Sequence, residues 1–307
     1  EAQSPGKGAG HIGFQRMGSE NSMNSILVSP CNSVIPEGVD IGELRSVQSV
    51  THSETDITLG YSFDILLGKG AFGEVWRSTN IATQQEYAIK KVSLTTAKAD
   101  RNNEKELKVL AKLTNPYIVK LHKVYRQADC LHLVMDLCLG GDLLQYLSEY
   151  WEDPSRIEMK QYWSQAFIRP WGLPPEQIGP ILWQILTGTA YMHHHRFAHR
   201  DIKLENVMIK FKDQFSPVQL TDFGCATRFQ RAKKMSRQAG TLMYMAPEVL
   251  TGEYTEKCDI WSIGIVAYML YANAMPWPAA AIESDQELTK SIKYDERNSY
   301  EDLLWKG

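Results

Sequence analysis

The stretch "FAHRDIKLENVMI", residues 197–209, sets Arg200, Asp201, Lys203, Glu205 and Asn206 inside a frame of Phe197, Ile202, Leu204, Val207, Met208 and Ile209. A buried strand has no use for these charges, because an unpaired charge in a core is expensive. A solvated loop has no use for the apolar frame. Both are needed where charges must be held in fixed places, so the stretch is read as the floor of a site. In it Asp201 can accept a proton, Lys203 supplies a point charge and Asn206 offers a neutral oxygen.

Three other stretches complete this reading. In "QLTDFG" (219–224) Asp222 ends an apolar strand and Gly224 frees the chain to turn. An acid so placed suits a hard cation with oxygen ligands, above all magnesium. In "GKGAFGEV" (68–75) Gly68, Gly70 and Gly73 let backbone N–H groups approach phosphate oxygens. Such a triplet alone fits either a turn or a phosphate cradle. A strand follows it, not a helix, which argues against a dinucleotide fingerprint. In "YAIK" Lys90 ends a strand, and Glu106 shares a helical stripe with Val109, Leu110 and Leu113. Either Glu106 lies at the stripe's edge in water, or it is buried and needs Lys90 as its cation.

The chain has 307 residues, enough for one large or two small cores, and a net charge of -3 that gives no sign of a nucleic-acid or membrane-seeking surface. Cys31, Cys130, Cys138, Cys225 and Cys258 have no metal-ligand spacing, and an odd, scattered set predicts reduced thiols and a cytoplasmic protein. A nuclear location and an N-terminal lipid site stay open. The apolar run 263–270 is too short to span a bilayer and reads as a buried helix. "MHHHR" (192–196) reads as a helix end and not a metal site. Cys225 and Cys258 read as packing residues.

Residues 1–60 are rich in Ser, Gly, Asn and Pro and are predicted to be a disordered or linker tail. From Tyr61 the texture changes. The segments 61–68, 73–80 and 86–94 alternate as strands, 100–115 has helical spacing, and 116–127 and 130–137 read as two more strands. Beyond Gly140–Gly141 the pattern is helical, with Ile178, Ile181, Leu182, Ile185 and Leu186 on one predicted face of a helix over 176–195. A strand-rich part followed by a helix-rich part predicts an α+β fold of two lobes with a cleft between them.

The glycine loop, strand lysine, helical glutamate, 199–206 loop, "DFG" and "APE" (246–248) occur in one order, and the set resembles a eukaryotic protein kinase. The resemblance runs from about Tyr61 into 284–293. It implies a five-stranded antiparallel sheet with one helix in an N-lobe (61–137) and a mainly helical C-lobe (138–307). Relative to the family the chain ends short of a complete second lobe, and the arginine that pairs with Glu248 would lie beyond 307. The implied cofactors are ATP and Mg2+. Gly68, Gly70 and Gly73 would cover the phosphates, and Lys90, paired with Glu106, would grip two of them. Val75, Ala88 and Met208 would enclose adenine beside the gatekeeper Met135 and the hinge Asp136–Cys138. Asp142 would reach the ribose or a basic substrate residue. Asn206 and Asp222 would hold the metal, Asp201 would orient the attacking hydroxyl and Lys203 would neutralise the transferring phosphoryl. Leu110, Leu121, His199 and Phe223 would stack as a spine anchored by Asp259, which makes His199 structural.

Lys203 and "GTLMYMAPE" (240–248) resemble the serine/threonine type, in which Thr241 would bond Asp201 and Lys203. Glu205 and Asp142 imply protein substrates with one basic residue about three before the target. Met269 stands where relatives demanding a second arginine carry an acid. The wording of 233–265 is most similar to calcium-dependent and calmodulin-dependent kinases, yet no EF-hand loop occurs, so no calcium sensor is assigned. The loop phosphosite of the family aligns with Arg237; Ser236 is the nearby alternative, and a loop that needs no phosphate is the other. The insert 149–172, rich in Trp and Tyr, is read either as a docking surface or as a packed insertion. A truncated or pseudokinase-like ATP-binding scaffold without turnover is the alternative function.

Overall fold

The computed structural model describes residues 51–53, 56–70, 73–94, 106–127, 130–152, 172–212, 214–277 and 284–294. Strands β1 (Thr51–Ser53), β2 (Tyr61–Gly70), β3 (Gly73–Asn80), β4 (Glu86–Ser93), β5 (Leu121–Gln127) and β6 (Cys130–Met135) form one sheet in the order β1-β5-β6-β4-β3-β2. The five strands from β2 to β6 are antiparallel, as predicted, and β1 is added in parallel at the β5 edge. The β2–β3 hairpin closes through Gly73 at φ +117°, where a Cβ would lie 1.9 Å from the Lys91 carbonyl oxygen. Only glycine fits there. At the next turn the Asn80 carboxamide oxygen accepts from the backbone N–H groups of Ala82 and Thr83, a local turn that side chains of this kind favour.

Side chains alternate across the sheet with period two. On one face Ile89 and Val134 pack with Ile57, Tyr61 and Tyr125; on the other Val75, Ala88, Leu133 and Met135 enter the main core. Ile57 is 1% exposed, and Asp56 caps its short 3-10 turn through the Thr58 N–H. The packed lobe therefore begins ahead of the predicted boundary at 61. Ile57, Leu59 and Tyr61 alternate over only five residues, and Leu59 is 78% exposed, so the alternation is too short to mark a packed segment in advance.

Below the sheet come helices α1 (Leu143–Glu152), α2 (Pro175–His194), α3 (Pro247–Thr251), α4 (Cys258–Ala272) and α5 (Asp285–Tyr294), with short strands β7 (Phe197–Ala198), β8 (Val207–Ile209), β9 (Val218–Leu220) and β10 (Thr227–Arg228). α2 starts with proline at N1. Its buried stripe is Ile178, Ile181, Ile185, Gly188 and Met192, steps of three and four, while Leu186 is 43% exposed. Leu182, on the stripe's edge, is partly buried against the same core, so the predicted face is corrected at Leu186 alone. α4 carries the 263–270 run and packs against α2, burying Ile263, Ile265, Val266, Met269 and Leu270. No described helix is long and apolar enough to cross a membrane. Residues 1–50 of the predicted tail and 153–171 of the aromatic insert lie outside the described residues.

Candidate active site

Asp201 and its neighbours hang between the β7 and β8 strands, fixed from beneath by α4. Asp259, fully buried on that helix, accepts from the backbone N–H of His199 (2.9 Å), that of Arg200 (2.7 Å) and His193 Nε2 (2.8 Å). A buried carboxylate is tolerable only with such donors. His199 Nε2 donates to the Thr221 carbonyl oxygen (3.0 Å), and its Nδ1 accepts from the Asp201 N–H (3.3 Å). With both ring nitrogens committed, His199 is a strut and not a proton shuttle. Its ring lies 5.0 Å from that of Phe223, and Leu110 and Leu121 join Phe223 in the same core. Of the three consecutive histidines that end α2, His193 serves Asp259 and His195 caps the helix.

One carboxylate oxygen of Asp201 accepts from the Thr241 N–H (2.9 Å) and the Thr241 hydroxyl (2.8 Å). That hydroxyl in turn accepts from Lys203 Nζ (3.1 Å), which lies 3.7 Å from the other Asp201 oxygen. Gly240 makes this approach possible: at φ +107°, its Cβ would lie 2.2 Å from the Arg200 carbonyl oxygen. Asn206, 5% exposed, donates through Nδ2 to the Asp201 carbonyl (2.8 Å). Its NH2 group is thereby engaged, and the atom left to offer is an oxygen.

Asp222 adopts a left-handed conformation (φ 57°, ψ 80°) and accepts from the Gly224 N–H. Arg200 is also left-handed, at φ 68°. Such strain in non-glycine residues collects at functional sites. From the sheet, Lys90 Nζ reaches Glu106 Oε1 at 2.8 Å, and Glu106 is buried together with Val109, Leu110 and Leu113. The choice left open for Glu106 thus falls to the paired, buried state. Burial would pull the Lys90 ammonium down, but the charges of Glu106 and then Asp222 outweigh it and hold Lys90 above the usual lysine value. The charge of Asp222 therefore reaches Lys90 across the cleft.

Val75, Ala88, Met135, Cys138 and Met208 line one continuous core, with Ala88 paired to Met135 and Val75 to Lys90 in register. Gly68 and Gly70 pair with Val75 and Gly73 at the hairpin's end; residues 71–72 are outside the described set. Asp142, 5% exposed, accepts from the Gln145 N–H at the start of α1 (2.9 Å). Burial, against that hydrogen bond and with the Glu205 charge adding, raises its carboxyl to about 6. Two residues to which the motifs gave no role also touch the hinge. His122 Nε2 lies 2.6 Å from Asp136 Oδ1, and Gln219 Nε2 donates to Asp136 Oδ2 (3.2 Å). A glutamine inside the apolar triplet "VQL" was the available signal, the same kind that marked Glu106.

Asp222 and Asn206 offer a carboxylate and an amide oxygen, the hard donor set that magnesium takes alongside phosphate oxygens. Among the described residues no group of three or more His, Cys, Asp or Glu could hold a metal.

The chain matches the family model "Protein kinase domain" over residues 61–303 and belongs to the protein kinase family, whose members use ATP and Mg2+. It is similar to calcium-dependent protein kinase 4 of Plasmodium falciparum (isolate 3D7), 31% identical over 84% of this chain and 46% of that protein. Serine/threonine-protein kinase PEPKR2 of Arabidopsis thaliana is 31% identical over 81% of this chain and 47% of its own length. Serine/threonine-protein kinase 33 of Bos taurus is 33% identical over 78% and 47%. The chain spans at most about half the length of these relatives.

Proposed function

We propose that residues 61–307 form a catalytic domain that transfers the γ-phosphoryl of Mg-ATP to serine or threonine hydroxyls, at protein sites with a basic residue upstream. The observation that carries this reading is the Thr241 clamp, which ties Asp201 and Lys203 into one rigid unit. Phosphoryl transfer needs little covalent help, so positioning and charge neutralisation supply most of the rate.

In this reading the Asp201 oxygen held by Thr241 fixes the carboxylate plane, and the other oxygen, which accepts only a longer bond from Asn206 Nδ2 (3.3 Å), orients the substrate hydroxyl and takes its proton. Lys203 neutralises the phosphoryl as it moves. Lys90, held by Glu106, grips the nucleotide phosphates, and the hairpin glycines cover them. Asp222 and Asn206 hold magnesium, which when bound spreads the charge of the phosphate oxygens. Val75, Ala88, Met135 and Met208 enclose adenine, and the backbone of 136–138 reads its edge. Asp142 and Glu205, close enough for Glu205 to raise the Asp142 carboxyl, form an acidic pair suited to an arginine side chain.

The test is transfer from Mg-ATP to an arginine-containing serine peptide by the chain and by its Asp222→Asn and Asp201→Asn variants. Transfer by the parent alone supports the reading. Nucleotide binding with no transfer by the parent supports a scaffold. Equal use of a peptide lacking the basic residue removes the specificity.

A further inference from the structure

Gln219, in the middle of β9, is 2% exposed, yet every polar position of its carboxamide is used. Its Nε2 donates to the Pro116 carbonyl oxygen (3.1 Å) and to Asp136 Oδ2 (3.2 Å). Its Oε1 accepts from the Cys138 thiol (3.4 Å). One side chain therefore grips two hinge residues, both buried, two positions apart. The other oxygen of Asp136 is bound by His122 on β5, and the Asp136 N–H donates to the Lys120 carbonyl oxygen (3.0 Å). A buried amide with this many partners fixes the segments it joins, because releasing any of them strands a polar group.

The strand that carries Gln219 also positions the rest of the nucleotide site. Gln219 pairs in register with Met208 on β8, and Asp222 follows it by three residues. Leu220 is stitched to the 117–119 segment through the Tyr117 and Val119 backbone groups. The hinge is tied to these strands at two places: backbone bonds from Leu139 and Gly140 to Lys210 and Ile209 hold the chain just after it, and the Gln219 side chain holds Asp136 and Cys138 within it.

We propose that Gln219 is a positioning residue for the nucleotide: by holding Asp136 and Cys138 it fixes the hinge backbone where adenine docks, at a set distance from Met208 and Asp222. This rests on the kinase reading given above. An apolar replacement would leave a buried carboxylate oxygen without its donor, and the hinge would shift to find water or another partner. Loss of fit should fall on ATP binding and not on the chemical step, since Asp201, Lys203 and Thr241 are held from α4 and the 240–241 segment.

Gln184 provides a control of the same chemistry. It is also a buried glutamine that bonds this strand, accepting from the Val218 N–H (2.7 Å), but among the described residues no hydrogen bond joins it to the hinge. The experiment uses the whole chain with Mg-ATP and the arginine-containing serine peptide, with ATP affinity measured separately by calorimetry. Gln219→Leu should raise KM and Kd for ATP roughly tenfold, leaving kcat and the peptide KM within about threefold of the parent. Gln219→Asn, one methylene too short to span both partners, serves if the leucine variant does not fold and should shift KM the same way. Gln184→Leu should lower the melting temperature with an unchanged KM. An unchanged ATP affinity in both Gln219 variants overturns the proposal. So does a fall in kcat at constant KM, or an equal rise in KM in the Gln184 variant. A parent chain that binds no nucleotide removes the functional reading as well, whereas a working parent with indifferent Gln219 variants removes this inference alone.

Discussion

Thr241 gives both its N–H and its hydroxyl to a single oxygen of Asp201 while the same hydroxyl accepts from Lys203. The hydroxyl is therefore a relay between Asp201 and Lys203. Thr241→Val keeps the shape and the backbone bond but removes the relay. Hydrogen bonds to charged groups are worth about 1.5–3 kcal/mol, so kcat should fall roughly tenfold to a hundredfold. KM for ATP should stay within about twofold, and Thr241→Ser should restore kcat. Steady-state kinetics decide it; full activity in the valine variant would show that the clamp does not orient Asp201.

The Lys90–Glu106 pair joins the sheet to the helix over 106–110, and both side chains are largely buried. Removing one partner of such a pair costs up to about 3–5 kcal/mol, and less here because Asp222 still offsets part of the Lys90 charge. Glu106→Gln removes the charged hydrogen bond that holds Lys90 in place and should lower kcat/KM for ATP roughly tenfold to a hundredfold. A variant with parental kcat/KM would mean that Lys90 finds its place without the glutamate.

Asp142 makes pH a usable probe. Burial first, then the Glu205 charge, raises its carboxyl to about 6 against the pull of the Gln145 N–H. Because the folded protein holds this proton more tightly than the unfolded chain, its contribution to stability is fullest below the ordinary value of 3.8 and is lost as pH rises through about 6. Asp142→Asn, which keeps an oxygen for the Gln145 N–H, should melt higher than the parent at about pH 7.5, with the gap narrowing below about pH 6 and closing toward 3.8. Binding runs the other way. The parent's KM for a basic peptide should rise below about pH 6 as the acid is protonated, and the asparagine variant should show a weak, flat dependence. Parallel pH profiles for the two proteins would remove Asp142 from substrate recognition.

The sheet and the main site were legible because the strands are short apolar runs between turn residues, some buried at every position as β6 is, and each functional group breaks an apolar pattern. Glu106 on its stripe and Asp201 within its frame are cases of this. Gln219 broke the same pattern, but its partners are 83 and 81 positions away in the chain, and no spacing rule reaches that far. The hinge contact of His122 was hidden for a similar reason: its partner Asp136 lies on a neighbouring segment. The lobe's early start was illegible because the alternation of Ile57 and Leu59 is so short, and of residues 56–60 only the Ile57 side chain is buried.

That lone side chain is itself testable. Ile57 fills the outer face of the sheet against Tyr61, Ile89, Tyr125 and Val134. Ile57→Ala should destabilise the chain by about 2–5 kcal/mol, the range for truncating a buried isoleucine. Denaturant midpoints measure this. The folded fraction should keep its kcat, since Ile57 lies on the face away from Val75 and Ala88. A change below about 0.5 kcal/mol, the scale of surface substitutions, would place 56–60 outside the folded lobe.

Arg200 bears on whether the loop needs phosphate. Its Nε and Nη2 donate to the Cys225 carbonyl oxygen (2.9 and 2.6 Å), and its Nη1 donates to the Tyr254 hydroxyl (2.8 Å) and the Arg237 carbonyl oxygen (3.2 Å). Four of the five guanidinium donors are therefore taken by the protein itself. The Tyr254 hydroxyl also donates to the Arg237 carbonyl, and Met235 exchanges backbone bonds with Tyr254 on the other side of Ser236. These contacts close the segment beside Asp201 with neutral acceptors, which favours the loop that needs no phosphate. Phosphatase-treated enzyme and Ser236→Ala should keep activity within about twofold of the parent. Tyr254→Phe, which removes an acceptor for Arg200 and a donor to Arg237, should lower kcat by roughly the tenfold that one buried charged hydrogen bond can supply. Loss of activity on phosphatase treatment, recovered when phosphate returns to Ser236, would show instead that the arginine exchanges these carbonyls for a phosphate.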